Sequence, residues 1–489
     1  DASSSAHIYG KNQVWAESFT AAGKPYQRYP GYLKKKGDWS FTEGINHTLL
    51  HVYIEQAYDS MPGMNAWFGT EFNRQNTWFI HSKAWIDYIR RCNFMLRQGK
   101  PANDICYFIG EDAPKMSGIR DPEIPRGYSY DYINAEVILQ RLSVKDRNLV
   151  LPDGVSYKLL VLPPQNTMRP ELLKKISELV AQGATILGNP PLKSPSLQNY
   201  PSADNQVKDM AASLWQNADG VDIKQVKYGK GNVLRGMTMP QALQFLKLAP
   251  DMQTAEDSIL FIHRRLPNRD IYFLTNQSDQ KISTTLSFRV KDKQPELWNA
   301  ITGERRVLPQ FTVNKETISV PLVFEPAQSW FVVFRKPASS AKFQGENFPQ
   351  SQTLLTLNGK WTIQFDTAMR GPVQPVTWDD LKDWSAATND SIKYYSGTAV
   401  YHTSFNVDAI PYGKKIILDL GDVKNIAAIK LNGQSIQTLW TNPWTANISK
   451  ALKSGKNEWD SEVTNTWVNR LIGDSKLPVN ERKTLWSVE

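Results

Sequence analysis

The stretch KLLVLPPQNTMRPELLKKISELVAQGATILGN (residues 158–189) decides how the middle of this chain folds. Residues 158–163 form a short continuous apolar run, which is typical of a strand buried on both faces. A helical pattern follows from Arg169 to Gln182 and ends at Gly183, and a second apolar run occupies residues 184–189. Strand, helix and strand in this order form a parallel unit, so we expect a doubly wound sheet here.

Another apolar run at residues 105–109 and a helical pattern from Tyr132 to Leu142 come before this unit. Asp131 directly precedes the helical pattern, and we interpret it as the helix cap. A glycine-rich phosphate loop is not visible in the sequence, so nothing indicates a nucleotide cofactor. We assign residues 101–235 to this α/β domain.

The first hundred residues alternate between strand and helix patterns. Residues 13–16 and 48–53 have the composition of short strands. Residues 78–96 carry apolar side chains at helical spacing, and the run from Gly99 to Pro101 ends that helix.

From residue 236 onward the pattern changes mainly to short strands separated by turn signals. A helical stretch at residues 239–248 comes first, and the strands that follow are typical of a β-sandwich, which we assign to residues 236–340. Residues 337–352 have the composition of a linker. Further strand patterns predict a second β domain at residues 353–489.

The composition is that of a globular protein with an unusual number of indole rings. The 489 residues include 16 Trp, and the formal net charge is +9. Lys and Arg are scattered among acidic residues rather than clustered with aromatic ones, which argues against a nucleic-acid partner. The mild positive balance is compatible with an anionic polysaccharide such as pectin.

Cysteine and apolar patterns narrow the setting further. Cys92 lies in a helical stretch and Cys106 in a strand-like one, and we predict that both are buried free thiols. No apolar run reaches the length of a membrane span, and the residues after Asp1 do not have the pattern of a signal peptide.

Carboxylates, histidines and aromatic side chains crowd residues 13–78, which makes this segment the candidate site. Glu17 follows the first strand, and Glu43, Asn46 and His51 surround the second. Acetal cleavage needs one proton donor and one base, and pyranose rings stack on aromatic faces. These residue types indicate a sugar-cleaving site, although a carboxylate at a strand end is also common in surface ion pairs.

Several short motifs resemble those of glycoside hydrolase family 106, the α-L-rhamnosidases. They are ESFT (17–20), GINH (44–47) with His51, FNRQNTW (72–78), YFIGED (107–112) and GYSYD (127–131). The order of the domains is similar over essentially the whole chain. The last domain resembles the sugar-binding jelly roll of family 2 glycosidases, with direct sugar contact left open; its motifs are NGKW (358–361), YSGTAVY (395–401), LNG (431–433) and NTWVNRL (465–471).

The resemblance implies a multidomain fold that combines α/β and all-β parts. Residues 1–100 would be the C-terminal part of a catalytic (β/α)8 barrel, 101–235 a flavodoxin-like domain, 236–340 a β-sandwich and 353–489 an incomplete galactose-binding-like jelly roll. A complete barrel needs about 250 residues. We therefore expect a fragment that is truncated at both ends and lacks part of the active site.

The resemblance also implies removal of terminal α-L-rhamnosyl residues from plant polysaccharides or glycosides by two carboxylates in an inverting reaction. Glu17 is the first catalytic candidate because it ends a barrel-type strand. Its partner is Glu43, Glu71 or Glu111, or lies upstream, and the acid of the pair needs a raised pKa. The candidates for holding the sugar are Asn46, His51, Asn73, Arg74, Trp78 and Tyr128.

Calcium binding is a further expectation from such enzymes, but no Asp-rich calcium loop occurs and no metal ligand is assigned. Enzymes of this class usually work in the periplasm or outside the cell.

Two alternative functions stay open. One is a family 2-type glycosidase such as a β-galactosidase, which the Ala16-Glu17 pair disfavours because those enzymes carry Asn before Glu. The other is a non-catalytic carbohydrate-binding fragment.

Overall fold

The computed structural model describes residues 1–66, 68–112, 118–338 and 345–484. The architecture is mixed α/β, and these residues form seven sheets that contain between two and six strands each. Among them, no helix combines the length and apolar character needed to cross a membrane. Cys92 and Cys106 are buried free thiols, as predicted.

The first hundred residues build a small βαβα unit. In chain order they contain α1 (Ala2–Ile8), β1 (Trp15–Ser18), α2 (Pro30–Thr42), β2 (His47–Leu50), a 3₁₀ turn (Phe79–His81), α3 (Lys83–Leu96) and β3 (Lys100–Pro101). β1 and β2 pair in parallel, with Glu17 opposite Leu49. The helical pattern predicted from residue 78 therefore becomes a short turn followed by α3, which buries Trp85, Tyr88 and Cys92.

A six-stranded sheet occupies the next part of the chain. Its elements and those packed on it are β4 (Ile105–Phe108), β5 (Tyr130–Ile133), α4 (Ala135–Gln140), β6 (Ser143–Lys145), β7 (Asn148–Val150), β8 (Ser156–Tyr157), β9 (Leu159–Val161), α5 (Pro170–Gln182), β10 (Thr185–Leu187), α6 (Ser202–Trp215), β11 (Gln225–Tyr228), β12 (Gly231–Leu234) and α7 (Met239–Phe245). The strand order is β11-β12-β10-β9-β4-β5, and only β11 is antiparallel to its neighbour. Doubly wound sheets of the flavodoxin type share this order of parallel strands.

The prediction that Asp131 caps a helix over residues 132–142 is wrong. Asp131 lies inside strand β5, where its buried carboxylate contacts His7 Nδ1 at 2.9 Å and accepts a hydrogen bond from the Tyr157 hydroxyl at 3.0 Å. The cap is Asn134, whose side chain accepts a hydrogen bond from the Val137 amide. Tyr and Ile favour a pleated, half-buried strand, and the helix begins only after a residue that can cap it.

Two antiparallel sheets follow the parallel one. Their strands are β13 (Met252–Gln253), β14 (Ile259–Leu266), β15 (Arg269–Asn276), β16 (Ile282–Phe288), β17 (Lys293–Trp298), β18 (Arg305–Val307), β19 (Thr312–Val313), β20 (Ile318–Phe324) and β21 (Ser329–Pro337). One sheet has the order β13-β16-β20-β19, and the other has the order β18-β17-β21-β15-β14-β3. The pairing of β3 with β14 places residues 100–101 in the second sheet.

Part of the predicted linker, residues 339–344, lies outside the described residues. Asn347, within the same prediction, is buried, and its side-chain amide bonds to Gln310 and Pro321. This end of the segment therefore packs on the antiparallel sheets.

The last part of the chain is again mostly β. Its elements are β22 (Trp361–Phe365), a 3₁₀ turn (Thr367–Met369), β23 (Val376–Trp378), a 3₁₀ turn (Trp384–Ala386), α8 (Asp390–Lys393), β24 (Thr398–Val407), β25 (Ile417–Asp419), β26 (Ile426–Leu431), β27 (Gln434–Leu439), β28 (Thr445–Asn447), β29 (Gly455–Thr464), α9 (Val468–Asp474) and a 3₁₀ turn (Val479–Glu481). The strands form a six-stranded sheet, β23-β22-β24-β29-β26-β27, and a two-stranded one, β25-β28.

A buried charge network joins the parallel sheet to the antiparallel ones. His263 Nδ1 lies 2.9 Å from an oxygen of Asp251, and Nε2 lies 3.1 Å from Asp270 Oδ1. Since both ring nitrogens face carboxylates, both must carry protons, and the ring is an imidazolium. Arg289 extends the network by contacting Asp251 at 3.3 Å and Asp104, just before β4, at 2.5 Å.

Burial opposes the charge on His263, but the carboxylates of Asp251 and Asp270 outweigh it and raise the pKa of the imidazole above its usual value. We expect His263→Gln to lower the free energy of unfolding by about 3 kcal/mol, because it leaves buried carboxylates without their cation. A raised imidazole pKa stabilises the fold fully below about pH 6.5, and this contribution is lost as the pH rises through the folded pKa.

Urea unfolding between pH 6 and pH 9 should therefore show a difference between wild type and His263→Gln that shrinks as the pH rises. His402→Gln is the matched control, because His402 also contacts two carboxylates but lies half-exposed on the surface. We expect it to change the free energy of unfolding by less than about 1 kcal/mol. A His263→Gln effect that is independent of pH would contradict the charged network.

Candidate active site

The carboxyl ends of β1 and β2 gather the polar groups of the candidate site. Glu17 lies on the exposed face of β1, and its carboxylate accepts a hydrogen bond from the Thr20 hydroxyl. His51 is the first residue after β2 and stacks on Phe68, with 5.1 Å between the ring centroids. Because the two strands are parallel, Glu17 and His51 belong to the same edge of the sheet.

Thr70 places its neighbour Glu71 at the carboxyl ends of β1 and β2. The Thr70 amide donates to His51 O at 3.0 Å, and its hydroxyl donates to Phe19 O at 2.7 Å, so residue 70 touches the segments that follow both strands. The Glu71 side chain is fully buried. Asn65 donates to its Oε1 at 3.1 Å, whereas Oε2 is buried without a hydrogen-bond partner.

Burial raises the pKa of the Glu71 carboxyl above its usual value, since desolvation disfavours the charged form. Hydrogen bonds and the Arg28 guanidinium, whose NH1 lies 3.7 Å from Oε1, act in the opposite direction without cancelling the effect of burial. Glu71 and Glu17 are therefore two carboxylates in contrasting environments, one dry and one exposed.

Arg28 also ties together the loops that follow β1 and β2. It donates to Ala22 O at 2.6 Å in the loop after β1, and to Gly69 O at 3.3 Å in the loop after β2. Its own carbonyl accepts a hydrogen bond from the Trp78 indole at 3.0 Å. Arg28 is almost completely buried, so its bonds are formed in a medium where they are costly to break.

A second set of buried polar contacts shapes the same loop. The Tyr26 hydroxyl donates to Gly63 O at 2.7 Å, and Asn73 Nδ2 lies 3.5 Å from that hydroxyl. Gln56 bonds to Met64 through both its amide nitrogen and its oxygen, at 2.9 and 2.7 Å. Residues 51–66 and 68–76 form no helix or strand and so have no regular ladder of backbone hydrogen bonds. The side-chain bonds take the place of that ladder.

Two predicted site residues lie at the opposite end of the strands. Glu43 is exposed and ends α2, so it precedes β2 rather than following it. Asn46 is buried: its Oδ1 accepts from the Val14 amide at 2.8 Å, and its Nδ2 donates to Asn12 O at 3.1 Å. The structure therefore does not bring Glu43 or Asn46 together with Glu17.

Two others belong to the parallel-sheet domain. Glu111 accepts a hydrogen bond from the Arg169 amide at 2.8 Å and pairs with the guanidinium of the same residue, at the start of α5. The Tyr128 hydroxyl donates to Leu248 O at 2.8 Å, and its ring packs beside α7. Both side chains are engaged in joining elements of their own domain.

The remaining predictions fall around the Glu71 loop. Asn73 and His51 lie in the site, as described above. Arg74 is exposed and bonds to Asp59 and to Gln56 O, each at 3.0 Å. Trp78 is buried against Phe72 and Trp85, so it supports the loop from below rather than presenting a face to a sugar.

Sequence reasoning missed Arg28 and Asn65, and named Glu71 only as one of three partners for Glu17. Arg28 is a charged residue flanked by Tyr26 and Tyr29 just before a helix that begins with Pro30. A cation within an aromatic stretch is the one local signal that could have suggested burial.

A family model described as glycoside hydrolase family 106, alpha-L-rhamnosidase, matches residues 1–313. The chain belongs to this family. A solved structure of a rhamnosidase from Novosphingobium sp. PP1Y superposes with a TM-score of 0.91 and 33% sequence identity. The similarity covers 99% of this chain and 46% of the Novosphingobium one.

A curated relative from Formosa agariphila, named "Putative beta-glucuronidase", is 28% identical. The match covers 98% of this chain and 59% of that protein. The chain thus spans about half the length of these two proteins.

Gly69 packs closely against His51 and Val52 in the candidate site of this rhamnosidase-family chain. Its φ is +105°, and an added Cβ would lie 2.9 Å from both His51 Nδ1 and Val52 Cγ1. We expect Gly69→Ala to displace His51 and to cost about 1–3 kcal/mol for the clash, in addition to the backbone strain. Urea unfolding and activity on an α-L-rhamnoside check this.

Gly154→Ala is the control, because Gly154 has φ +93° with nothing within 4 Å of the added Cβ. That variant carries only the backbone strain, roughly 1–2 kcal/mol, and should keep full activity. Equal losses of stability in the two variants would show that the packing against His51 is not tight.

Proposed function

We propose that this protein removes terminal α-L-rhamnosyl residues from plant polysaccharides or glycosides by an inverting, two-carboxylate mechanism. Membership of the rhamnosidase family supports the reaction class. The observation that carries the mechanism is the contrast between buried Glu71 and exposed Glu17 at one edge of the parallel strands. Environments that push two carboxyl pKa values apart define an acid and a base.

Glu71 is the general acid in this proposal. A carboxyl with a raised pKa keeps its proton at a pH where an ordinary glutamate has lost it. In its protonated form it donates that proton to the glycosidic oxygen as the bond to the anomeric carbon breaks. Arg28 limits how far the pKa rises, so that the proton remains available for transfer.

Glu17 is the general base. Its exposed carboxylate activates a water molecule, which attacks the anomeric carbon from the face opposite the leaving group. The configuration is therefore inverted, and the first product is β-L-rhamnose. An inverting enzyme needs about 6.5–9.5 Å between the two carboxyl groups to leave room for that water.

The sugar would rest against the rings near His51. Phe68 stacks on His51, and Tyr53 is about half exposed (52%) two residues further along. Aromatic faces favour the apolar side of a pyranose, and the methyl group of a 6-deoxy sugar adds to that apolar surface. The His51 imidazole and the amide of Asn65 offer hydrogen bonds to the hydroxyl groups.

The same proposal assigns the finer architecture. The β1–α2–β2–α3 unit is the C-terminal part of a (β/α)8 barrel within residues 1–100, followed by a flavodoxin-like domain (101–235), a β-sandwich (236–340) and a galactose-binding-like jelly roll (353–489). The parallel pairing of β1 with β2 and the strand order of the central sheet support this reading. We place the protein in the periplasm or outside the cell.

Calcium binding stays part of the proposal, and none of its ligands is assigned to the described residues. Among them, no group of three His, Cys, Asp or Glu side chains could hold a metal ion. The positive charge beside Glu71 is supplied by Arg28.

A second candidate function follows from the relative named as a glucuronidase. A β-glucuronidase binds the carboxylate of its sugar and needs a cation for it. The arginines of the candidate site already have partners: Arg28 is buried and donates to two backbone carbonyls, and Arg74 is paired with Asp59. This disfavours the glucuronidase candidate. A panel of 4-nitrophenyl α-L-rhamnoside, β-D-glucuronide and β-D-galactoside tests the candidates, and binding without turnover would support a carbohydrate-binding role.

Glu17→Gln and Glu71→Gln should separate the two catalytic roles in the full-length product of this reading frame. Each should lower kcat/KM on an alkyl α-L-rhamnoside by about 10²–10⁴-fold. A 4-nitrophenyl leaving group departs without a proton, so it should rescue most of the loss in Glu71→Gln and little of the loss in Glu17→Gln. The alkaline limb of the pH profile should also disappear in Glu71→Gln, because a protonated acid is no longer needed.

Glu43→Gln is the matched control, since it neutralises an exposed carboxylate at the other end of β2. We expect it to leave kcat/KM unchanged. The proposal fails if Glu71→Gln loses as much activity on the nitrophenyl substrate as on the alkyl one. NMR detection of α-L-rhamnose as the first product would instead indicate retention.

A further inference from the structure

The motif NTWVNRL (465–471) contacts the Glu71 loop from the C-terminal β domain. It follows β29 and leads into α9. The Trp467 indole donates to Gln75 O at 2.9 Å, and the Thr77 hydroxyl donates to Asn465 O at 2.5 Å. Trp467 is 1% exposed, so its ring is enclosed at this junction.

Gln75, which accepts the bond from Trp467, lies four residues from the candidate acid along the chain. The Gln75 amide donates to Asn73 Oδ1 at 2.9 Å, and Asn76 Nδ2 donates to Glu71 O at 2.7 Å. A carbonyl held by Trp467 is therefore part of the same short loop as the Glu71 backbone. Moving that carbonyl would move the residue that keeps Glu71 in place.

The side that supplies the contacts is held firmly within its own domain. Asn465 Oδ1 accepts from the Gly397 amide at 2.9 Å, and its Nδ2 donates to Tyr395 O at 2.8 Å. The Arg470 amide donates to the Ser396 hydroxyl at 2.9 Å. Residues 395–397 and the motif therefore fix each other within the C-terminal β domain, and the motif contacts the loop from this fixed position.

The loop is held by individual turn and side-chain hydrogen bonds rather than by regular secondary structure. Residues 71–77 form no strand or helix, and Gln75 Oε1 and Asn76 Oδ1 are buried without hydrogen-bond partners. Backbone of this kind keeps one conformation only when surrounding groups fix it. A proton donor needs such fixing, because misplacement by an ångström costs catalysis heavily.

We propose that Trp467 is a positioning residue for catalysis, through which the C-terminal β domain braces the Glu71 loop. The inference rests on the proposed role of Glu71. It assigns this domain a part in the reaction whether or not the domain binds sugar. Loss of the brace lets water reach Glu71, which brings its pKa back toward the ordinary value and weakens proton donation at higher pH.

Trp467→Phe tests the brace, because it removes the indole N–H but keeps an aromatic ring. We expect kcat on an alkyl α-L-rhamnoside to fall by about five- to tenfold, in line with one lost buried hydrogen bond. KM should change less than twofold. The alkaline limb of the pH profile should move to lower pH, which a purely structural role would not cause.

Trp459→Phe is the matched control. Trp459 is buried in the same domain, where it packs on Trp361, and its indole donates to the Ser461 hydroxyl at 2.8 Å, outside the motif. That variant should lose similar stability while its pH profile stays unchanged. Thr77→Val, which removes the contact with Asn465 O from the other side, should reproduce the Trp467→Phe profile if the latter does not fold.

Hydrogen–deuterium exchange gives a readout that does not depend on activity. Amides of residues 71–77 should exchange faster in Trp467→Phe than in Trp459→Phe. Unchanged exchange and an unchanged alkaline limb in folded Trp467→Phe would overturn the brace. Normal activity of Glu71→Gln on the alkyl α-L-rhamnoside would instead overturn the proposed function, and the two failures are thereby distinguished.

Discussion

The candidate site depends on the hydrogen bonds and the ion pair that the buried Arg28 guanidinium forms. It binds carbonyls from the loops after both parallel strands and lies against the Glu71 carboxylate. Taking a cation out of water is expensive, so the arrangement persists only because several acceptors surround it. Without Arg28, Glu71 would lose its nearest positive charge and the two loops would lose their common partner.

The elements beneath the site are fixed by a second buried ion pair. Lys34 of α2 lies 2.5 Å from Asp38 and also donates to Ser329 on β21, while the Tyr88 hydroxyl on α3 bonds to Asp38 and lies 2.8 Å from the Ser329 hydroxyl. Both charged side chains are completely buried. This network anchors the helices of the βαβα unit to the antiparallel sheet, so the strand ends that carry Glu17 and His51 have a rigid base.

Much of the fold could be predicted from the sequence, because short apolar runs such as residues 105–109 and 184–189 are typical of buried strands, and both contain one. Helix α2 was not predicted, since it places Lys34 and Asp38 at core positions where the pattern requires apolar residues. Glu17 could be selected as a candidate from its place near the end of a strand. The burial of Arg28 and Glu71 could not be predicted, because it depends on contacts between loops that local sequence does not encode.

Measuring the protonation state of Glu71 tests its proposed role as the general acid most directly. The carboxylic acid C=O band of Glu71, isolated as the infrared difference between wild type and Glu71→Gln, can be followed as the pH is raised. The buried Glu71 carboxyl should keep this band at pH values above the usual glutamate pKa of about 4.3. A band that disappears at or below that value would show that Glu71 is an ordinary ion-pair partner of Arg28 and would contradict its role as the acid.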